Sequence, residues 1–243
     1  MITARKFPIF EKVFDLYNTS LLRKHFHRIM IRGTGGDAPL DRSMPIILFA
    51  NHSNWWDGLV AFHLSREVFH VDAYAMMEER QLERYRFFRW IGAFSVDRGH
   101  PRSALTSLAY AERLLYRPGR AVWVFPQGVM QPNDARPLRF YSGIGRLAVQ
   151  LGKVQLVPLA FRYEFMMEQR PECFVSTGEP LIIDRVEDVR LLVRELESRL
   201  TVLLDELRAD VVASRTEGFT RVLSGKMSTN EAYDRVRVRR TGR

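Results

Sequence analysis

Pro45-Ile46-Ile47-Leu48-Phe49-Ala50-Asn51-His52-Ser53-Asn54-Trp55-Trp56-Asp57 is the stretch on which the reading of this chain turns. Its first half is an unbroken apolar run. Such a run reads as a strand buried on both faces, the habit of a parallel sheet covered by helices on either side. The run stops at Asn51-His52 without a linker. In an open α/β sheet the carboxyl ends of the strands are where ligands meet the protein, so the imidazole of His52 is delivered to a place where it can act.

Asp57 lies five positions beyond His52. On a continuous α-helix that spacing would turn the two side chains about 140° apart, so a turn has to intervene if the carboxylate is to reach the ring. Asn, Ser and Asn between them have the chemistry to make one. An Asp bonded to one ring nitrogen fixes the tautomer and stabilises the imidazolium, leaving the other nitrogen to take a proton from a hydroxyl or an amine. His52 and Asp57 are therefore the expected general base and its orienting partner. The competing reading is a histidine satisfied by a nearby carboxylate with no chemical role.

Working outward, three later stretches bear on that choice. Asn51-His52 followed by Asp57 resembles the first motif of the glycerolipid acyltransferases, the family typified by lysophosphatidate acyltransferase. Gly92-Ala93-Phe94-Ser95-Val96-Asp97-Arg98 resembles their second motif, Gly-x-x-Phe-x-x-Arg, with one residue fewer between Gly and Phe and one more between Phe and Arg. Phe125-Pro126-Gln127-Gly128 resembles the Phe-Pro-Glu-Gly motif, and Val157-Pro158 the final Val-Pro. The order and approximate distances are those of the family, over about residues 45 to 180.

The resemblance implies O-acyl transfer from a fatty-acyl thioester, acyl-CoA or acyl carrier protein, to the hydroxyl of a lysophospholipid of the 1-acylglycerol-3-phosphate type. It implies that Arg98 holds the acceptor phosphate, as a bidentate fork can. On the residues alone, Arg98 reads equally as a surface side chain paired with Asp97. Gln127 and Gly128 are expected to hold the acceptor head, the glycine by letting backbone N–H groups approach an anionic oxygen. Here the chain departs from the pattern twice. Gln127 stands where the family has Glu, and Met130 where it has Arg. A Gln hydrogen-bonds without charge and a Met offers a phosphate nothing. Arg136 and Arg139 are candidates to substitute, or the acceptor is a polar lipid without a phosphate, such as a lyso-aminolipid or glycolipid. A non-catalytic lipid-binding protein on the same fold is the non-enzymatic alternative. No Gly-x-Ser-x-Gly elbow supports a serine hydrolase. No bound cofactor and no metal are expected, since a thioester already carries a competent leaving group.

Length and composition set the frame. A chain of 243 residues with 46% hydrophobic content suits one α/β domain with a sizeable core. Its one cysteine, Cys173, gives neither a disulfide framework nor a Cys-based metal site. Nowhere do about 18 apolar residues run together, so no membrane-spanning helix is expected, and Met1-Ile2-Thr3-Ala4-Arg5-Lys6-Phe7-Pro8 lacks the apolar segment of a signal peptide. The net charge of +9 favours a polyanionic partner. No nucleic-acid-binding signature is present, which leaves an anionic membrane surface and a phosphate-bearing substrate.

Along the chain, Pro8 to Met30 repeats apolar residues at helical spacing with an interruption near Asn18-Thr19-Ser20, predicting two amphipathic helical segments. Their basic residues, Lys12, Arg23, Lys24, His25, His27 and Arg28, suit either a membrane headgroup layer or a solvated helix face over the sheet. Gly33 to Asp37 predicts a turn. Strands are then expected at 68–75, 94–98, 121–125, 154–163 and 174–183, and helices at 58–64, 76–90, 103–115, 142–151 and 186–207. Pro158 predicts an edge or bulged strand, Ser103 a helix cap, and His63 and His70 no role at the site; His100 could act there, but nothing in its context picks it out.

The expected architecture is one α/β domain with a mixed, largely parallel sheet flanked by helices. The N-terminal amphipathic element covers 1–32, the α/β domain 33–225 and a basic tail 226–243, whose Arg235–Arg240 run is free to touch anionic lipid. The expected location is peripheral, on the cytoplasmic side of a membrane.

Overall fold

The computed structural model describes residues 1–33, 40–97, 99–230 and 233. The turn expected at 33–37 beyond its first residue, Arg98, and the Arg235–Arg240 run lie outside the described residues.

Ile46–Ala50 forms strand β2, with all five residues wholly buried. Alternation divides its side chains between two cores. Ile47 and Phe49 point into one, Ile46, Leu48 and Ala50 into the other. Burial of each large side chain is worth about 1.5–3 kcal/mol, which makes this strand the natural centre of the sheet.

Around it the chain builds α1 (Pro8–His25), β1 (Arg28–Gly33), α2 (Asp57–Glu67), β3 (Asp72–Glu78), α3 (Glu79–Arg84), a 3₁₀ turn (Arg86–Ile91) and β4 (Ala93–Val96). There follow α4 (Pro101–Leu115), β5 (Arg120–Val124), α5 (Gly143–Leu151), β6 (Val154–Glu164), β7 (Glu172–Thr177), β8 (Leu181–Ile183), α6 (Val189–Val212) and β9 (Thr220–Ser224). The strands form one sheet in the order β4-β3-β5-β2-β6-β7-β1-β9, with β8 also on β6. Pairings β2 to β5 and β6, β3 to β4 and β5, and β1 to β7 are parallel. Those of β6 with β7 and β8, and of β1 with β9, are antiparallel. Helices α4, α5 and α6 cover one face and α1 and α2 the other. This is the single α/β domain with a mixed, largely parallel sheet that the sequence predicts.

Several local expectations change. The N-terminal stretch is one continuous helix and then a strand. Asn18 does not break α1 because its Nδ2 donates to the Leu59 carbonyl of α2 at 3.0 Å. Ile29 and Met30 belong to β1, inside the sheet. Met76 and Met77 continue β3, paired with Phe94 and Ser95, where a helix was expected. Ser103 caps nothing, since α4 starts at Pro101 with His100 in the capping position. Nor is β6 an edge strand. Pro158 sits opposite Phe49 of β2, and its carbonyl accepts from Gly178 N at 2.9 Å on the opposite side. A residue's N–H and C=O point the same way across a sheet, so the N–H that Pro158 lacks faces the break between β7 and β8, where no ladder bond is lost.

Because β2, β3, β4, β5 and β6 run parallel, the segments that leave their carboxyl ends share one edge of the sheet: 51–56, 97 and 99–100, 125–142 and 165–171.

Candidate active site

At that edge the chain leaves β2 in a defined way. The β2–β6 ladder ends at Ala50 opposite Leu159. One residue on, the buried Asn51 side chain takes over. Its Oδ1 accepts from Phe161 N at 2.7 Å and its Nδ2 donates to the Phe161 carbonyl at 2.9 Å and to Asn133 Oδ1 at 3.3 Å. The amide thus completes the sheet while the main chain is released to turn.

His52 is then gripped by its backbone from the β5–α5 loop. Its N–H donates to Gln127 Oε1 at 2.8 Å, and its carbonyl accepts from Gln131 N at 2.8 Å. The ring stacks on Phe125 with 4.7 Å between centroids. The next three residues turn as Asn and Ser chemistry allows, with Asn54 Oδ1 accepting from Trp56 N at 2.7 Å. This brings Asp57 round to start α2.

The Asp57 side chain is wholly buried, whereas that of His52 is 21% exposed. Four donors surround the carboxylate. Oδ2 receives His52 Nδ1 at 2.7 Å, Ser53 N at 2.6 Å and Asn54 N at 3.0 Å, and Oδ1 receives the Tyr163 hydroxyl at 2.7 Å. A negative charge at the first turn of α2 also meets the positive end of the helix dipole. With Nδ1 donating to Asp57, Nε2 is the nitrogen left for proton transfer, an assignment that follows from the hydrogen-bond network.

Tyr163 lies on β6, directly across from Cys173 of β7, and its hydroxyl also meets the Cys173 thiol. Burial above all, and then the Asp57 charge, push the phenol well above its ordinary value. The same two influences raise the buried Cys173 thiol. Both groups remain protonated at neutral pH.

The third motif lies in the β5–α5 loop. Gln127 is only 4% exposed. While its Oε1 holds His52 N, its Nε2 donates to Gln131 Oε1 at 2.7 Å. Both ends of its side-chain amide are therefore spent within the protein, on the His52 backbone and on Gln131. A Glu would supply the same acceptor oxygen to His52 N, which is why the missing charge leaves the loop intact. Gly128 takes the left-handed φ of +69°, and its N–H closes a turn onto the Phe125 carbonyl at 3.0 Å. Met130 points outward, 53% exposed, beside exposed Val129.

Of the cations proposed to substitute, Arg136 is committed to Asp205 of α6 and to the Asn133 and Ala135 carbonyls, and Arg139 is exposed. In the second motif, Asp97 accepts from Gly99 N at 2.9 Å and from His100 Nδ1 at 2.6 Å. The His100 bond leads the influences that lower its carboxyl.

The structure thus brings His52, Asp57 and Gln127 together with three residues that sequence reasoning did not place at the site: Tyr163, Gln131 and Phe125. Phe125 and Gln131 adjoin the third motif, so their neighbourhood was visible in the sequence. Nothing in the sequence marks Tyr163, which reaches Asp57 across 106 residues of chain through the register of β6.

Comparison with known proteins is consistent with this geometry. The family model described as "Acyltransferase" matches residues 33–162. No curated protein matches the sequence. Among solved structures, the fold is similar to that of the 1-acyl-sn-glycerophosphate (LPA) acyltransferase, PlsC, from Thermotoga maritima. The TM-score is 0.61 at 16% identity, over 82% of this chain and 80% of that one.

Proposed function

The chain belongs to the acyltransferase family, and from that premise we propose that it moves a fatty-acyl chain from acyl-CoA or acyl carrier protein to the hydroxyl of a lysolipid. The observation that carries the proposal is the 2.7 Å contact between His52 Nδ1 and buried Asp57, at the sheet edge and with the ring open to solvent. Nε2 of His52 takes the proton of the acceptor hydroxyl as its oxygen attacks the thioester carbonyl. Asp57 stabilises the imidazolium that forms. As the tetrahedral intermediate collapses, the carbon–sulfur bond breaks, its electron pair leaves with sulfur, and the imidazolium returns its proton to the thiolate. General-base help of this kind contributes about 10² to 10⁴ in rate, with positioning supplying much of the rest.

For the acceptor, the family resemblance favours a lysophospholipid of the 1-acylglycerol-3-phosphate type, with Arg98 on the phosphate. A second reading, a polar lipid lacking a phosphate, is favoured by Met130, an exposed uncharged side chain where the family has Arg.

The proposed setting is the surface of an anionic bilayer. Two observations support it. Helix α1 buries Phe14, Asn18 and Leu22 on one side and leaves Ile9, Val13, Leu16 and Tyr17 exposed, with Arg23, Lys24 and His25 in its last turn. The edge that carries His52 also exposes Trp55, Met130, Phe165 and Met167. Among the described residues no helix is long and apolar enough to cross a membrane.

Thiol release from acyl-CoA and from acyl carrier protein, measured against a panel of lyso-phospholipids, lyso-aminolipids and glycolipids, tests the function. His52→Ala should reduce turnover with the true acceptor about 10³-fold. Equal activity of variant and wild type on every acceptor would refute the proposal.

A further inference from the structure

We propose that Tyr163 is a positioning residue for the acyl-transfer reaction, acting through Asp57 to fix the strength and direction of that carboxylate's hold on His52. The inference rests on His52 and Asp57 being the base and its partner. It is carried by how the two oxygens of Asp57 are shared. Oδ2 faces the His52 ring and two backbone N–H groups, all within 3.0 Å, while Oδ1 has the Tyr163 hydroxyl at 2.7 Å. The three partners on Oδ2 come from residues 52 to 54, within five positions of Asp57, and would move with their own loop. Tyr163 comes from β6, a strand whose body lies between β2 and β7, and is itself paired with Cys173 of β7. It is the contact that ties the carboxylate to the rigid sheet.

The chemistry is directional. A phenol protonated throughout the working range donates to Asp57 and draws negative charge toward Oδ1. Its single proton being given to Asp57, its oxygen can accept from the Cys173 thiol beside it. Without that donor, more of the charge resides on Oδ2 and the imidazolium is held more strongly, so His52 is easier to protonate and less of it is in the neutral, proton-accepting form near neutrality. The carboxylate is also freer to rotate, which misaims Nε2 at the acceptor hydroxyl.

The test is Tyr163→Phe, which deletes one oxygen and keeps the ring against Phe26 and the α2 face of the sheet. Near neutral pH kcat is expected to fall about tenfold with KM for acceptor and donor within about twofold, and the acid limb of kcat/KM to move up by about half a pH unit. NMR titration of the His52 ring should shift in the same direction. This second readout needs no substrate, so it decides the Tyr163 link even if no acceptor on the panel is turned over. Should Tyr163→Phe fail to fold, 3-fluorotyrosine installed at 163, a stronger donor, is expected to shift the His52 titration down. A pH profile and a His52 titration superimposable on wild type, whatever the change in thermal stability, would overturn the inference and leave Tyr163 a structural residue.

Discussion

Replacement of Asn51 by Ala tests whether the departure of the chain from β2 is engineered as the geometry implies. The Asn51 amide satisfies both main-chain groups of Phe161, at 2.7 and 2.9 Å, at a position where the β2–β6 ladder has already ended. Alanine leaves a buried N–H and a buried C=O without their partner. Each such loss costs about 1–3 kcal/mol, and water entering the vacated space recovers part of it, so a net destabilisation of about 2–4 kcal/mol is expected. For a domain of this size that corresponds to a fall in Tm of roughly 5–15 °C. The consequence reaches function, because residue 51 is the anchor from which His52 is hung. The turnover of the folded variant should drop about tenfold as the ring loses its fixed approach. Thermal unfolding followed by circular dichroism, together with thiol release well below Tm, measures both effects. A Tm within about 2 °C of wild type with unchanged turnover would show that the amide is not a clamp and would refute the reasoning.

Three further outcomes are expected. His63, 3% exposed on α2, has its ring held below the ordinary value of 6.5 chiefly by burial, with Glu67 and Asp15 opposing and Arg23 assisting. Its lowered folded-state value means that the unfolded chain takes up the proton first, so stability is full above pH 6.5 and declines as pH falls below it, by at most about 1.4 kcal/mol per pH unit. Urea midpoints at pH 5.5 and 7.5 should therefore differ less in His63→Phe than in wild type, and an equal difference would exclude this histidine. Met130→Arg alone should raise kcat/KM for phosphate-headed acceptors relative to uncharged ones, whereas Gln127→Glu alone should leave the preference in place. The reverse pattern would contradict the inward placement of Gln127. Changing Ile9, Val13 and Leu16 together to Ser, on the exposed side of α1, should weaken sedimentation with anionic vesicles about tenfold or more, given about 1.5–3 kcal/mol per large side chain that such a surface can bury. Unaltered co-sedimentation would remove α1 from the proposed membrane contact.

What the sequence revealed and what it concealed follow physical lines. Strand β2 was readable because a strand buried on both faces must be apolar at every position, and few other local structures demand that. His52 and Asp57 were readable because the turn between them uses residues whose side chains hydrogen-bond locally. The end of α1 was not, because Phe26, Ile29 and Met30 continue a helical spacing even though the last two lie in a strand, and only pairing with β7 reveals the change. The same holds for Met76 and Met77, which lie in β3 and find their partners in β4. Pro158 misled for a different reason. Proline is excluded from sheet centres for want of an N–H, and here the strand beside it is broken at the place where that N–H would point. Tyr163 is the extreme case, a side chain whose importance is created wholly by a distant partner.

The inward turn of Gln127 has a further consequence. Its side chain is part of the fixture that steadies the His52 backbone, and the side chains that face outward, Met130 and Val129, belong to its neighbours. Under the proposed function, proton handling and headgroup choice fall to different side chains of one short loop. On that proposal a lineage, or an experimenter, would rewrite acceptor choice at position 130 while the contacts that hold His52 stay untouched.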